Sequence, residues 1–96
     1  PFDEVVAESL GVGVGAKSVW REYDAAVKSF GSEFAILLDA TESDLKKGLP
    51  PSIAEGVIRM RNGKVHIEPG YDGEYGKIKI FEESEREKLI AQKSLF

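Results

Sequence analysis

The sequence predicts a mainly α-helical domain that carries a small two-stranded antiparallel β-hairpin. Apolar residues recur at helical spacing over residues 2–60, whereas residues 64–68 and 77–81 alternate apolar and polar side chains, as half-buried strands do. A second observation is an internal repeat, in which Leu10 aligns with Leu45, 35 residues later. Each copy predicts a helix, a tight glycine-containing turn and a second helix, so each is expected to cover the other's apolar face.

The first copy predicts two helices that are joined by a glycine-rich turn. A short helix is expected over residues 2–10, and the glycines of residues 11–15 interrupt it. The clearest helix of the chain follows over residues 17–30 and ends at Gly31. The apolar stripes that define the two helices are Phe2, Val6 and Leu10 in the first and Val19, Tyr23, Val27 and Phe30 in the second.

Capping residues predict the shorter helices that come next. Ser32 is placed to cap a helix through Leu38, and Thr41 is placed to cap another, with Asp44 three positions later. The pair Pro50-Pro51 opens the last helix of the repeat, because proline is tolerated in the first helical turn.

The chain is expected to form one compact domain in three parts. Residues 1–61 hold the repeated helical hairpins, residues 62–81 hold a glycine-rich β-hairpin, and residues 82–96 hold a charged helix with a tail. The segment PGYDGEYG, between the two predicted strands, is too rich in glycine for a regular element. Because the sequence starts with proline and not with methionine, we expect it to be a fragment of a longer protein.

Composition excludes several classes of function. The 96 residues include no cysteine and one histidine, which excludes thiolate metal sites and disulfides and disfavours a Ser–His triad. No set of nucleophile and base can be assembled either, so a non-catalytic domain without cofactors is expected. No apolar run approaches the length of a membrane span, and no signal peptide is present, so we expect a cytoplasmic protein that does not bind membranes.

The net charge of −4 disfavours a purely electrostatic nucleic-acid binder, but the charge is distributed unevenly. Residues 1–45 carry three basic and nine acidic side chains, a balance of −6. Residues 46–79 carry seven basic and four acidic side chains, a balance of +3, and residues 80–96 come to −1. One region of the chain can therefore face an anion.

The turn of the first repeat, GVGAKSV, has the composition of a phosphate-binding turn. Its glycines let the backbone turn tightly, and the helix that follows points free N–H groups and a partial positive charge outward. Lys17 and Ser18 can add hydrogen bonds to a phosphate. The candidate contacts of this hairpin are Gly13, Gly15, Lys17 and Ser18.

This turn resembles the hairpin of the helix-hairpin-helix motif, whose pattern is G-h-G-x-x-x-A. The connecting segment SFGSEFAILLDATESDL is similar to the connector in tandem helix-hairpin-helix domains of DNA-repair nucleases. The resemblance implies a SAM-like fold of five helices that grips DNA backbones without reading their sequence. In the alternative interpretation, the glycines only end and start helices.

The second copy, GLPPSIA, departs from this pattern because Pro50 stands where the second glycine belongs. Two backbone donors are lost, so this hairpin is expected to bind phosphate less well or only to support the first one. Its remaining candidate contacts are Lys46, Lys47 and Ser52.

The segment between the strands adds a third group of candidates. Tyr71 and Tyr75 are able to stack on a base or sugar, with Lys64 and Lys77 on the flanking strands and Arg61 at the end of the preceding helix. In the alternative interpretation, the tyrosines cover apolar edges of a long turn.

The stretch from Glu55 to Phe81 resembles the C-terminal region of PHP-domain proteins related to endonuclease Q, including forms fused to UvrD-type helicases. Residues 1–40 are similar to the same region. This resemblance implies a longer parent protein that nicks DNA beside deaminated bases, with its divalent metals and zinc held by other parts of the parent. The function expected for this chain is non-sequence-specific DNA binding. The alternative is a module for protein interaction or dimerisation, which includes docking to the remaining domains of the parent.

The last five residues, QKSLF, resemble the pentapeptide with which bacterial proteins bind the replication sliding clamp. Gln92 supplies an amide, and Leu95 and Phe96 supply two apolar anchors for a hydrophobic pocket. In the alternative interpretation, the two apolar residues fold back onto the domain.

Overall fold

The computed structural model describes residues 2–68, 70 and 76–93. Two helical hairpins, α1–α2 and α3–α4, are joined by a π-helical turn, and a two-stranded antiparallel hairpin and a last helix follow. The elements are α1 (Phe2–Leu10), α2 (Lys17–Phe30), the π-helical turn (Ala35–Asp39), α3 (Glu42–Gly48), α4 (Pro51–Arg61), β1 (His66–Glu68), β2 (Lys77–Lys79) and α5 (Glu83–Lys93). The predicted fold class is confirmed.

Local sequence signals account for most of the helix ends. Thr41 Oγ1 accepts a hydrogen bond from the Asp44 N–H at 3.1 Å, as the predicted cap requires. Gly31 adopts a φ of 95° after α2, and its N–H donates to the Val27 carbonyl, which ends the helix. Ser32 Oγ accepts from the Ala35 N–H at 3.0 Å, but the segment that follows is a π-helical turn and not the predicted α-helix.

The core forms where α1 packs against α4 and α2. α1 contributes Phe2, Val5 and Val6, all fully buried, and the other elements add side chains of similar size. The fully buried partners from these elements include Val19, Ile36, Leu45, Ile53, Val57 and Phe81. Because both helical hairpins contribute to one core, each covers the apolar face of the other.

α1 and α4 approach closely at Ser9 and Gly56. A Cβ at Gly56 would lie 2.3 Å from Ser9 Oγ and 3.3 Å from Val5 Cγ1, so only glycine fits there without movement. Ser9 is fully buried, and its hydroxyl has no hydrogen-bond partner among the described residues. The contact therefore depends on shape and not on polar pairing.

The β-hairpin is shorter than predicted. His66 pairs with Lys79, Ile67 with Ile78 and Glu68 with Lys77. Ile80 and Phe81, predicted to extend the second strand, leave it and enter the core. Ile67 is 75% exposed, so the expectation that both strands are half-buried is wrong for β1. The ribbon meets the helices through β2, which contacts α1, and the half-buried Ile78 packs against the core.

Two arginine clusters attach the C-terminal part to the helices. Arg86 of α5 pairs with the Glu8 carboxylate at 3.0 Å and donates to the Glu8 carbonyl at 2.8 Å. Arg59 of α4 pairs with Glu55 and Glu85, both at 2.9 Å, and its guanidinium lies 4.7 Å from the centre of the Phe81 ring. The Arg86 contacts hold α5 against α1, and the ion pair between Arg59 and Glu85 holds α5 against α4.

Gly56→Ala is expected to lower the free energy of unfolding by up to about 2 kcal/mol. The added methyl group overpacks a fully buried contact at a cost of about 1–3 kcal/mol, and the gain of about 1 kcal/mol that alanine brings to a helix offsets part of it. Urea denaturation measures the change. On a Ser9→Ala background, which removes the opposing Oγ, the cost should be smaller. An equal cost on both backgrounds would contradict the Ser9–Gly56 contact.

Glu85→Gln is expected to lower the melting temperature at neutral pH. The hydrogen bond from Arg59 lowers the pKa of Glu85 from 4.5 to about 2, so its stabilising charge is present above pH 4.5 and is lost as the pH falls towards 2. Melting curves between pH 7 and pH 2 should therefore show the difference from the unmodified chain shrinking in that window. Glu87→Gln, an exposed carboxylate on the same helix, is the control. A pH-independent difference would refute the ion pair.

Candidate nucleic-acid interface

The first hairpin leaves the start of α2 open. Gly11, with a φ of 74°, ends α1 by donating to the Ala7 carbonyl at 2.9 Å, and Ala16 N–H donates to the Gly13 carbonyl at 3.0 Å. Ala16 is the N-cap of α2 and supplies no side-chain hydrogen bond. The N–H groups of Lys17 and Ser18 therefore have no capping side chain, and they carry the positive end of the helix dipole.

Gly13 and Gly15 are not required by the packing of the described residues. Neither has a positive φ, and a Cβ at either position would meet nothing within 4 Å. Both glycines are exposed, as is Lys17, and Ser18 is half-buried. Two bare backbone positions next to an uncapped helix start let a partner approach within hydrogen-bond distance.

The glycine of the second hairpin, in contrast, is packed against a side chain. A Cβ at Gly48 would lie 2.7 Å from the Phe30 ring, so this glycine is needed for packing. Ser52 is 2% exposed, which makes the prediction of a phosphate contact there wrong: it lies in the first turn of α4, on the side that faces the core. Lys46 and Lys47 are exposed. The exposed lysines thus remain available at this hairpin, and the start of α4, like that of α2, has no side-chain cap.

Arg61 has a structural role that the sequence analysis did not predict. Its guanidinium donates to the carbonyl oxygens of Leu37, at 2.9 Å, and of Ile36 and Ala40. These are carbonyls at the end of the π-helical turn, where backbone acceptors lack helical partners. Because three of its donors are used in this way, we correct the prediction that Arg61 is a phosphate contact.

The remaining basic candidates lie in three different places. Lys77 lines a cleft with Gly13 and Val14 of the first hairpin. Lys64 lies beside α4, and Lys46 lines a cleft with Gln92 of α5. The last group of predicted contacts lies outside the described residues: Tyr71, Tyr75, Leu95 and Phe96.

The cleft beside the first hairpin has a volume of about 230 Å³. It lies between α1, the hairpin and the start of β2. Val12 and Val14 line it and are each 41% exposed. The sequence analysis missed both residues and also missed Glu4, although two valines between glycines in GVGVG are a signal of apolar side chains on a turn. The full lining is Glu4, Ala7, Glu8, Val12, Gly13, Val14, Gly76, Lys77 and Ile78.

The described part of the chain contains neither a cluster of metal ligands nor a helix that could cross a membrane. Within residues 2–68, 70 and 76–93, no group of three or more histidine or acidic side chains is arranged to hold a metal ion. None of the helices described has the length and apolar character needed to cross a membrane.

Two curated proteins of unassigned function are similar to this chain. The protein MJ0043 of Methanocaldococcus jannaschii is 36% identical over 78 residues, which cover 81% of this chain and 10% of that protein. The protein YqxK of Bacillus subtilis is 42% identical over 67 residues, which cover 70% of this chain and 16% of that protein. The chain thus spans between a tenth and a sixth of the length of these relatives.

Solved structures of endonuclease Q share the fold. A crystal structure of endonuclease Q in complex with a 27-mer duplex substrate, with an abasic lesion at the active site, matches with a TM-score of 0.77 and 34% identity. The match covers 86% of this chain and 21% of that one. The lesion-specific endonuclease PfuEndoQ from Pyrococcus furiosus matches with a TM-score of 0.70 and 34% identity, covering 86% and 20%. The predicted resemblance to endonuclease Q is confirmed.

The helical part of the chain also matches a family model. The model of the MJ0043 C-terminal domain matches residues 1–64, which include both helical hairpins and the open turn before α2. This match covers two thirds of the chain. The chain belongs to the MJ0043 C-terminal domain family.

Proposed function

We propose that this chain is the non-catalytic DNA-binding domain of a DNA-repair endonuclease or helicase, and that it grips backbone phosphates through the first hairpin. The observation that carries the proposal is the open start of α2, where Gly13 and Gly15 leave space for a partner and Lys17 is exposed. A phosphate placed there accepts from backbone N–H groups and from the lysine ammonium. Contacts of this kind fix position on DNA and carry no sequence information.

The comparisons support a DNA partner. An endonuclease Q chain of the same fold was solved with a 27-mer duplex, and the present chain corresponds to about a fifth of it. The nicking of damaged DNA, and the metals that it requires, are accordingly proposed for other parts of a longer parent protein. The described residues of this chain supply binding groups and no metal cluster.

The affinity of the isolated chain is expected to be modest. Its net charge is −4, and the nine acidic side chains of residues 1–45 repel phosphates near the hairpin. Helix-start N–H groups carry no formal charge, so they bind at short range without attracting DNA from a distance. Lys46, Lys47, Lys64 and Lys77 are among the exposed cations outside the hairpin, and they can add backbone contacts.

The tail is proposed to bind the bacterial sliding clamp. Gln92, the first residue of QKSLF, lies in the last turn of α5 and is exposed. Leu95 and Phe96, which lie outside the described residues, are the two apolar anchors that a hydrophobic pocket requires. Binding of this kind would bring the parent protein to replicating DNA.

A protein-interaction module is the second candidate function. Phe34 and Leu38, next to and within the π-helical turn, are 65% and 63% exposed. Residues four apart lie on one side of such a turn, and the surrounding sequence is acidic. An apolar pair with an acidic rim suits a protein surface with basic groups and repels DNA.

Lys17→Glu is expected to weaken binding to short duplex DNA at low salt by about tenfold, because it replaces a charge-assisted hydrogen bond with repulsion. Fluorescence anisotropy at several salt concentrations measures the loss. Lys28→Glu is the matched control, since it makes the same charge change about 16 Å further along α2. Equal losses in both variants would show a diffuse charge effect only. Sedimentation of a stable dimer that binds no DNA would favour the interaction module instead.

The double variant Gly13→Ala, Gly15→Ala is expected to keep its melting temperature and to lose DNA affinity. The two methyl groups meet no atom of the described fold, so any loss comes from the partner that they hold away. Thermal denaturation and the same anisotropy titration separate the two effects. Unchanged affinity in the double variant would overturn the role of the hairpin backbone.

A further inference from the structure

We propose that the π-helical turn is a docking site for a basic amphipathic helix of a partner protein. Phe34 and Leu38 contact the apolar stripe of that helix, and acidic side chains around the turn pair with its basic edges. The inference rests on the second candidate function, protein interaction, and names the chemistry of the partner. It is independent of the phosphate grip at the first hairpin.

The backbone of the turn is held in place from both ends. Arg61 of α4 donates to three carbonyl groups at the end of the turn, so a side chain of another helix fixes that end. At the beginning, Ser32 Oγ accepts from the Ala35 N–H at 3.0 Å. Side chains on this turn are therefore held in position before a partner arrives, which lowers the entropic cost of binding.

Two large apolar side chains of this segment remain outside the core. Phe34 and Leu38 are exposed, whereas Ile36 between them is fully buried. The buried residue anchors the turn, and the two exposed residues, four apart, lie on one side of it. Short π-helical segments are rare and occur frequently at functional sites. An apolar surface on such a segment is typical of a site for protein interaction.

The charges around the turn favour a basic partner. Residues 31–45 carry four acidic side chains and no basic side chain. Three of these acidic residues follow Leu38 within six positions and are exposed: Asp39, Glu42 and Asp44. Arg61 is half-buried, and its guanidinium donates to backbone carbonyls. Cations beside an apolar stripe therefore find carboxylates beside an apolar pair, which is electrostatic complementarity.

The same charges exclude other occupants of an apolar surface. The phosphates of DNA and the anionic surface of a membrane are repelled by the exposed carboxylates. A second copy of this chain, docked through the same turn, would place two acidic surfaces against each other. A basic amphipathic helix avoids this repulsion, because its apolar stripe lies between cationic edges.

The test uses three fluorescent peptides. The first is an amphipathic helix of leucine and arginine, the second has the same composition in scrambled order, and the third is the first with glutamate in place of arginine. Fluorescence anisotropy measures their binding to the unmodified chain. We expect the first peptide to bind about tenfold more tightly than the second, the value of one well-packed anchor, and the third not to bind.

Two variants connect this binding with the turn. Phe34→Ser combined with Leu38→Ser is expected to weaken binding of the amphipathic basic peptide by about tenfold, because it removes both apolar contacts. Both side chains are exposed, so the melting temperature should change little. Ile67→Ser is the matched control, since it removes an exposed apolar side chain from β1, and it should keep the affinity.

The acidic side chains are tested in the same way. Asp39→Asn is expected to weaken binding of the basic peptide by about twofold at low salt, and high salt should remove the difference. Glu87→Gln changes the charge of an exposed carboxylate of α5 by the same amount and should leave the affinity unchanged. Equal losses in the two variants would contradict a site at the turn.

The outcomes separate this inference from the proposed DNA binding. No binding of the basic peptide, or equal binding by the unmodified chain and the double serine variant, would overturn the docking site. A loss of DNA affinity in that variant, or a dimer that its substitutions dissociate, would make DNA or a second copy the occupant and also overturn it. Lys17→Glu should lose DNA affinity and keep peptide binding, so either proposal can fail while the other stands.

Discussion

The close packing of α1 on α4 is the constraint on which the rest of the structure depends. At the point where Ser9 meets Gly56, a single added carbon would force the helices apart. α1 carries the first hairpin at its C-terminal end, and α4 follows the second, so this contact fixes the two repeats relative to each other. A chain of 96 residues buries a core of modest size. Few other contacts can therefore compensate for the loss of this one.

Glu8 transmits that constraint to the candidate interface. Its carboxylate holds the backbone of Ile80 and Phe81, just after β2, and pairs with Arg86 of α5. β2 is thereby held beside α1, and the cleft between them has a defined shape. A half-buried carboxylate with two N–H donors and an arginine is fully engaged, so it stabilises the fold and leaves ligand contacts to its neighbours.

What the sequence predicts well is local. The cap at Thr41 and the helix end at Gly31 follow from a few neighbouring residues, and the repeat indicates that two hairpins share a core. The burial of Ser52, the carbonyls that bind Arg61 and the exposure of Ile67 depend on which distant surfaces meet. A periodicity of two shows that a strand has an apolar face, but not whether anything covers it.

The two repeats use glycine for different purposes, and this difference explains their separate roles. Gly48 lies under the Phe30 ring, so the second hairpin uses its bare backbone to let a side chain of α2 approach. Gly13 and Gly15 have open space where a side chain would be, so packing within the described fold does not require bare backbone there, which supports the phosphate contact proposed for the first hairpin. The second hairpin is packed against the core, and this packing supports the first hairpin. A binding site gains from that division because its groups are held in position before the ligand arrives.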